Sequence, residues 1–344
     1  MRILIVTDAW APQVNGVVVT LVNTIHELER LRHTVELVTP EGFRTIPTPS
    51  YPEIPLAVFA GREVARRIDA FAPDAVHIAT EGPLGIAARR HCLRRGQPFT
   101  TAFHTQFPEY VHARWRLPVM LSYAWLRHFH APSLAVMCAT PTLEERLARR
   151  GFVNLTRWGR GVDTSIFRPS AREARARERP IFLYVGRLAV EKDVGDFLAL
   201  DLPGSKWVVG DGPARAGLER QFGHVKFFGT RHGRELAGFY QQADVFVFPS
   251  RTDTFGLVLI EAMACGTPVA AYPVTGPLDV VTDPRAGVLD ENLRAAALAA
   301  LNLDREAVRD FGVRFSWELA TREFVSQLNP RVRAPMLAPA LDND

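Results

Sequence analysis

The chain has 344 residues, 47% of them hydrophobic, with a formal charge of +4, which is enough apolar material for two α/β domains with separate cores. No apolar run reaches the roughly eighteen residues of a membrane helix, and Met1-Arg2-Ile3-Leu4-Ile5-Val6 meets Asp8 too early for a signal peptide, so a cytoplasmic protein is expected. Cys92, Cys138 and Cys265 stand apart in apolar surroundings without metal spacing and read as reduced core thiols.

The charge is uneven: residues 1–165 hold 19 Arg and no Lys against 14 acids, a net of +5, leaving 22 basic against 23 acidic residues, a net of −1, for the remainder. The basic half lacks a nucleic-acid recognition module, so nucleic acid is not an expected partner. An anionic membrane surface explains the asymmetry as well.

In chain order, Arg2 to Thr7 reads as a buried strand, followed by an enlarged turn and an amphipathic helix from Val17 to about Glu29. This βα unit lacks the three-glycine dinucleotide fingerprint, which disfavours a nicotinamide or flavin site. Gly16, where the helix starts, either admits a phosphate or hydroxyl close to the backbone or simply makes a turn. Further strands are expected at Thr34–Thr39, Asp74–Ile78, Pro98–Phe103 and Leu134–Ala139, with helices near 61–70, 83–95 and 141–149. Such alternation implies a parallel sheet, whose ligands bind beyond the carboxyl ends of the strands. His104 falls there, directly after Thr100-Thr101-Ala102-Phe103, although a lone histidine at a strand end is more often structural.

Residues 112–130 interleave Arg114, Trp115, Arg116, Tyr123, Trp125, Arg127 and His128 with Leu117, Val119, Met120, Leu121, Leu126 and Phe129. A basic helix with aromatics suits a membrane interface, and a domain helix with one core face suits the pattern equally. Arg89, Arg90, Arg94 and Arg95 read as a solvated face. Residues 170–180 form a charged connector, after which Ile181-Phe182-Leu183-Tyr184-Val185-Gly186 repeats the opening theme, with strands near 206–209, 225–228, 244–248 and 268–271.

The loop Gly186-Arg187-Leu188-Ala189-Val190-Glu191-Lys192 carries two cations five apart in a chain with 38 Arg and 3 Lys. A compact ammonium beside an arginine fork suits a diphosphate, and ordinary surface charge is the plainer reading of either alone. Val209-Gly210-Asp211-Gly212-Pro213 and Phe228-Gly229-Thr230-Arg231 are further glycine turns at strand ends.

Residues 244–269 read as a strand, Val245–Phe248, stopped by Pro249 and feeding a nearly all-apolar helix from Gly256 that Gly266 and Pro268 end. Two acids interrupt it, Asp253 before the first turn and Glu261 within, and buried carboxylates are costly unless something binds them. Glu261 lies about 8 Å along the helix from its N-terminal turn, a span that suits a nucleotide sugar. The N–H groups of Thr254, Phe255, Gly256 and Leu257 would face an anion or a hydroxyl. Singly, Asp253 reads as a helix cap and Glu261 as the partner of an arginine; together they favour a site. Thr275-Gly276-Pro277 either lines the same pocket or is only a turn.

This pair eight residues apart resembles the acidic pair of glycosyltransferase family 4, retaining enzymes of the two-domain GT-B architecture. Most members begin the pair with Glu, where this chain has Asp253. The resemblance extends to His104-Thr105-Gln106-Phe107-Pro108-Glu109-Tyr110, similar to the family's histidine loop, to the Arg187 and Lys192 diphosphate pair, and to Gly159-Arg160-Gly161-Val162-Asp163, where many members have Asn at Arg160. It covers about residues 1–328. It implies an α/β GT-B fold of two doubly wound Rossmann-like domains facing one cleft: 1–168 binding the acceptor, 169–316 binding the nucleotide sugar, and a helix at 317–328 returning to the first. Residues 329–344, prolines in a polar context, read as a disordered tail.

The implied reaction moves a hexose from a UDP- or GDP-sugar to an acceptor with retention and without a metal or other cofactor. Arg187, Lys192 and the helix mouth at Phe255 and Gly256 would stabilise the departing diphosphate. Asp253 would hold sugar hydroxyls, Glu261 the ribose, and His104 a sugar hydroxyl or the acceptor face, with Gly16, Gly186, Gly229, Thr230, Thr254 and Leu257 completing the donor site. The likeness is to members with lipid acceptors, transferring mannosyl, glucuronosyl or sulfoquinovosyl groups, which implies docking on the cytoplasmic face of a membrane. A nucleotide-sugar epimerase on the same fold, a transferase acting on a soluble or polysaccharide acceptor and a non-catalytic sensor are the alternatives.

Overall fold

The computed structural model describes residues 1–11, 13, 15–48, 51–104, 116, 118–171 and 179–328. The first half contains β1 (Arg2–Val6), α1 (Gly16–Arg30), β2 (Thr34–Val38), β3 (Thr45–Thr48), β4 (Tyr51–Ala57), α2 (Gly61–Phe71), β5 (Ala75–Ile78), α3 (Pro83–Arg95), β6 (Phe99–Phe103), α4 (Val119–His130), β7 (Val136–Cys138), α5 (Pro141–Arg149) and β8 (Leu155–Arg157). The second contains β9 (Ile181–Val185), α6 (Val194–Leu198), β10 (Ser205–Val209), α7 (Arg215–Gln221), β11 (Lys226–Phe227), α8 (Gly233–Gln242), β12 (Val245–Phe248), α9 (Leu257–Ala264), β13 (Val269–Ala271), α10 (Pro277–Val280), β14 (Gly287–Leu289), α11 (Leu293–Ala300), α12 (Arg305–Gly312) and α13 (Trp317–Leu328).

Each half builds one six-stranded parallel sheet, ordered β2-β1-β5-β6-β7-β8 and β11-β10-β9-β12-β13-β14. Strands such as β6, β9 and β12 are apolar or β-branched at every position and buried throughout, as strands covered on both faces must be. In both sheets the winding reverses beside the first strand, between β1 and β5 and between β9 and β12. The crevices where such folds bind ligands are therefore at the turns that follow these strands.

Helix α13 crosses back to the first sheet. Phe324 and Leu328 join Ile3, Ile5, Met137 and Trp158 in one core cluster, and Glu318 pairs with Arg30 of α1 at 2.7 Å. The stretch Gly159–Asp163 receives this returning segment: Gly159 N–H donates to Glu323 Oε2 at 2.6 Å and Val162 N–H to the Phe315 carbonyl at 3.1 Å. Gly161 has to be glycine, because a Cβ there would lie 2.1 Å from Trp317 N.

Several elements differ from expectation. The antiparallel ribbon β3–β4 pairs Pro47 with Pro55, and prolines hide a strand from propensity because they donate nothing to a ladder. The three-residue strands β8 and β14 were also not expected; both sit at sheet edges. Arg89 is not part of a solvated face, since Nε and Nη2 each donate at 2.9 Å to the Phe129 and His128 carbonyls, tying α3 to α4. The proposed membrane helix divides its faces: Tyr123, Leu126, Phe129 and His130 are buried, whereas Met120, Leu121 and Trp125 are 76%, 62% and 43% exposed. Arg114, Trp115, Leu117, most of the connector and the 329–344 tail lie outside the described residues.

Phe324, fully buried between Trp158 and His77, tests the return of α13. Phe324→Ala is expected to lower unfolding free energy by about 3–5 kcal/mol, against about 0.5 kcal/mol or less for Leu319→Ala on the exposed face, measured by urea denaturation. Equal small effects would show that the helix is not part of the core.

Candidate active site

Three strand ends meet between the two sheets. After β12 the chain turns through Asp253 to Gly256, whose φ of 84° starts α9. A Cβ at Gly256 would approach Leu259 to 3.0 Å and Phe248 to 3.3 Å, so glycine alone takes this left-handed position without strain. The N–H groups at the mouth of α9 are among those a helix leaves unpaired, and they favour an anion. Gly276 supports this loop from behind, close against the carbonyls of Asp253 and Phe255. The Thr275-Gly276-Pro277 turn therefore holds the acidic loop in place.

From β9, Gly186 leads through Arg187, whose carbonyl accepts from the Tyr184 hydroxyl at 2.9 Å, to a single helical turn at Val190–Lys192. Lys192 Nζ lies 2.6 Å from Asp253 Oδ1, with the two side chains only 17% and 22% exposed. Thr252 Oγ1 donates to the Glu191 carbonyl at 2.9 Å and joins the same two loops. The cation expected at a diphosphate and the acid expected at a sugar thus hold each other in the free protein.

Neither of the plainer readings of the two acids describes the structure. Helix α9 begins at Gly256 with no side-chain cap, and the partner of Glu261 is Tyr240, whose hydroxyl donates to Oε2 at 2.9 Å. Burial pushes the Glu261 carboxyl up to about 7, against the downward pull of the Tyr240 hydroxyl. Near neutrality this group is only part ionised.

Across the cleft, the His104 carbonyl accepts from Thr254 Oγ1 at 2.8 Å, and Thr140 Oγ1 donates to the Thr254 carbonyl at 3.4 Å. The histidine and acidic loops are therefore in direct contact. Gly16 faces them, since a Cβ there would lie 3.8 Å from Leu257 Cδ1. His104 has a strongly lowered pKa, first through burial and then through Arg160, His77 and His130. Thr105–Tyr110 lie outside the described residues. Gly229 and Thr230 are further away, following β11, two strands from β9; the Gly229 carbonyl accepts from Gly210 N–H at 2.9 Å.

Sequence reasoning missed Tyr240 as the partner of Glu261, and Asp8. The Asp8 carboxylate accepts from Thr80 Oγ1 at 2.8 Å and from the N–H groups of Leu84 at 2.9 Å and Gly85 at 3.3 Å at the mouth of α3. Burial pushes its carboxyl up. An acid directly after a first strand was the available signal, but its partners lie more than seventy residues away.

Residues 14–166 match the model of Glycosyltransferase Family 4, and residues 179–303 that of Glycosyl transferases group 1. A GDP-mannose-dependent alpha-mannosyltransferase of Mycobacterium tuberculosis is 33% identical over 84% of this chain and 83% of its own. The chain belongs to glycosyltransferase family 4. An alpha-monoglucosyldiacylglycerol synthase of Streptococcus pneumoniae is 27% identical over 88% of this transferase and 78% of its own length. Among solved structures, a sucrose-phosphate synthase from Thermosynechococcus elongatus superposes with a TM-score of 0.73 at 21% identity, covering 94% of this chain and 97% of the other. Anabaena HepE in complex with UDP-glucose gives 0.70 at 15% identity, covering 95% and 99%. The transferase is a hexosyltransferase with the GT-B fold of these neighbours.

Glu261 supplies a test in which stability and binding move apart. The folded protein keeps the Glu261 proton up to about 7, whereas the usual value is 4.5. The unfolded chain therefore binds fewer protons in that window, and this group's contribution to stability falls as pH rises through it. Glu261→Gln is expected to raise Tm at pH 8 relative to the parent, with little change at pH 4.5, while weakening nucleotide-sugar binding. A Tm difference independent of pH would refute the buried proton.

Proposed function

We propose that the transferase moves a hexose from a nucleoside diphosphate sugar to a lipid acceptor at an anionic membrane surface, with retention at the anomeric carbon and no metal. The Lys192–Asp253 contact of 2.6 Å carries this reading. It puts a cation, a carboxylate and the mouth of α9 at one point in the cleft, opposite His104. A diphosphate arriving there offers Lys192 a more highly charged partner than Asp253, and the freed carboxylate can then accept from sugar hydroxyls. Glu261 is assigned to the ribose and His104 to the face where sugar and acceptor meet.

In the transfer, the bond from the anomeric carbon to the diphosphate breaks and its electrons pass to the phosphate oxygen. Arg187, Lys192 and the N–H groups from Thr254 to Leu257 stabilise that developing charge. The acceptor oxygen bonds to the anomeric carbon on the same face, and its proton goes to the departing diphosphate. No protein nucleophile enters this sequence.

Support for the donor class comes from the mycobacterial relative named for GDP-mannose and from the UDP-glucose bound by HepE. Support for a lipid acceptor comes from the streptococcal relative named for diacylglycerol and from the surface of α4, where Met120, Leu121 and Trp125 are exposed on the helix that also exposes Arg127. No described helix is long and apolar enough to cross a membrane. Peripheral docking on the cytoplasmic face is the proposed arrangement.

A panel of UDP- and GDP-sugars incubated with the protein and membrane lipids is expected to give one α-linked glycolipid. Free nucleotide without a glycosylated lipid would favour an epimerase or a soluble acceptor and overturn the lipid assignment. Arg187→Ala and Lys192→Ala should each weaken donor binding by about 1.5–3 kcal/mol in calorimetry. Parental affinity in both would remove the phosphate site.

Sedimentation with vesicles should show binding to anionic but not neutral lipid, reduced by salt. Arg114→Ala/Arg116→Ala/Arg127→Ala should weaken it, each basic residue near such a surface contributing about 1 kcal/mol. Indifference to lipid charge would rule out docking.

A further inference from the structure

His104 and Arg160 meet in an arrangement that fixes where a proton sits. His104 Nδ1 lies 3.3 Å from Arg160 Nη2. A guanidinium has donors and no acceptor, so the ring nitrogen facing it has to accept. The ring therefore carries its hydrogen on Nε2. That nitrogen is buried and has no hydrogen-bond partner among the described residues, and an unpaired buried donor is costly unless a ligand completes it.

Arg160 is itself held firmly. It is 7% exposed, and Nη1 donates to the Trp158 carbonyl at 2.6 Å and the Gly159 carbonyl at 2.9 Å. Its guanidinium carbon sits 4.5 Å from the centre of the Trp158 ring, which also meets His104 edge-on at 5.5 Å. Burial lowers the Arg160 pKa to about 10, with Glu323 of α13 and Cys138 of β7 opposing, so the cation persists at neutral pH.

We propose that Arg160 is a positioning residue that locks His104 as the neutral Nε2–H tautomer, so that His104 serves the transfer as a hydrogen-bond donor to a sugar or acceptor oxygen and never as a base. This rests on the assignment of the cleft as the transfer site. The surroundings agree: Arg160 after β8, His77 on β5 and His130 on α4 all disfavour a positive ring, as does burial. His77 cannot serve as a charged relay, since its own pKa is lowered to about 3 and its Nδ1 is engaged with Thr100 Oγ1 at 2.9 Å. A neutral donor also suits the chemistry, because it orients a sugar or acceptor oxygen by a hydrogen bond and leaves the acceptor's own proton to pass to the departing diphosphate.

Nitrogen-15 spectra of histidine-labelled protein, with His104 assigned by His104→Gln, read the tautomer in the free enzyme without turnover. The parent and Arg160→Lys, which also presents only donors, are expected to show neutral Nε2–H throughout about pH 5 to 8. Arg160→Gln presents an amide that either donates or accepts, and is expected to populate the Nδ1–H form. Its kcat should fall about tenfold or more, as when a catalytic histidine is held in the wrong tautomer, with recovery in Arg160→Lys. An Nδ1–H or cationic ring in the parent overturns the proposal, as does Arg160→Gln losing kcat with the parental tautomer intact. Failure of the cleft assignment would appear separately, as unaltered transfer in His104→Gln.

Discussion

The ion pair between Lys192 and Asp253 joins the two loops on which the second half of the cleft depends. One loop follows β9 and the other β12, the neighbours between which the sheet reverses its winding. Strand order brings their ends together, but order alone does not set a side-chain distance of 2.6 Å. The Thr252 bond to the Glu191 carbonyl, the left-handed turn at Gly256 and the packing of Gly276 against the acidic loop do that. A mostly buried pair is a weak source of net stability, because desolvation offsets most of the attraction. It does keep each charge satisfied in the free protein, and on the proposed function a nucleoside diphosphate sugar would take over both partners.

The other titratable groups in the cleft are less comfortable. Glu261 has a single hydroxyl for a partner and is pushed up to about 7, Asp8 is raised by burial, and His104 is driven well below its ordinary range. Buried titratable groups so displaced from their ordinary range are more frequent in binding sites than in plain cores, and Asp8 and His104 both follow strand ends. The Glu261 carboxylate costs stability in the free protein, and hydroxyl donors from a ligand would recover part of that loss. The same logic covers the buried Nε2 of His104, whose missing acceptor a ligand oxygen would supply.

Much of the fold was legible because both periods are strong. The buried strands Arg2–Val6, Phe99–Phe103, Ile181–Val185 and Val245–Phe248 lie within a residue of their expected bounds, as do the helices at 61–71, 83–95 and 141–149. What escaped detection was short, at a sheet edge or rich in proline: Leu155–Arg157, Gly287–Leu289 and the ribbon pairing Pro47 with Pro55. In the site, residue types were readable but partnerships were not. Lys192 stood out as one of three lysines among 38 arginines, yet its contact with Asp253 spans sixty-one residues. Arg160 resembled a family position by its flanking glycines, and nothing in sequence showed its guanidinium against a histidine fifty-six residues earlier.

The two halves are coupled at points that also carry the candidate chemistry. Thr254, beside Asp253, bonds to His104, and Thr142 at the start of α5 bonds to Asp279 of α10 through its N–H at 3.1 Å and hydroxyl at 2.8 Å. On the opposite side, Glu323 of α13 takes the Gly159 N–H next to Arg160. Any change in the angle between the domains therefore acts on the Thr254 contact and on the backbone that anchors Arg160. Asp253, which holds Lys192, and Thr254, which holds the His104 carbonyl, are adjacent in one loop, so the two contacts share a backbone. The acidic loop and the strand end that bears His104 therefore form one connected unit, joined by the Thr254 bond, and on the proposed function a donor at Asp253 would act on both.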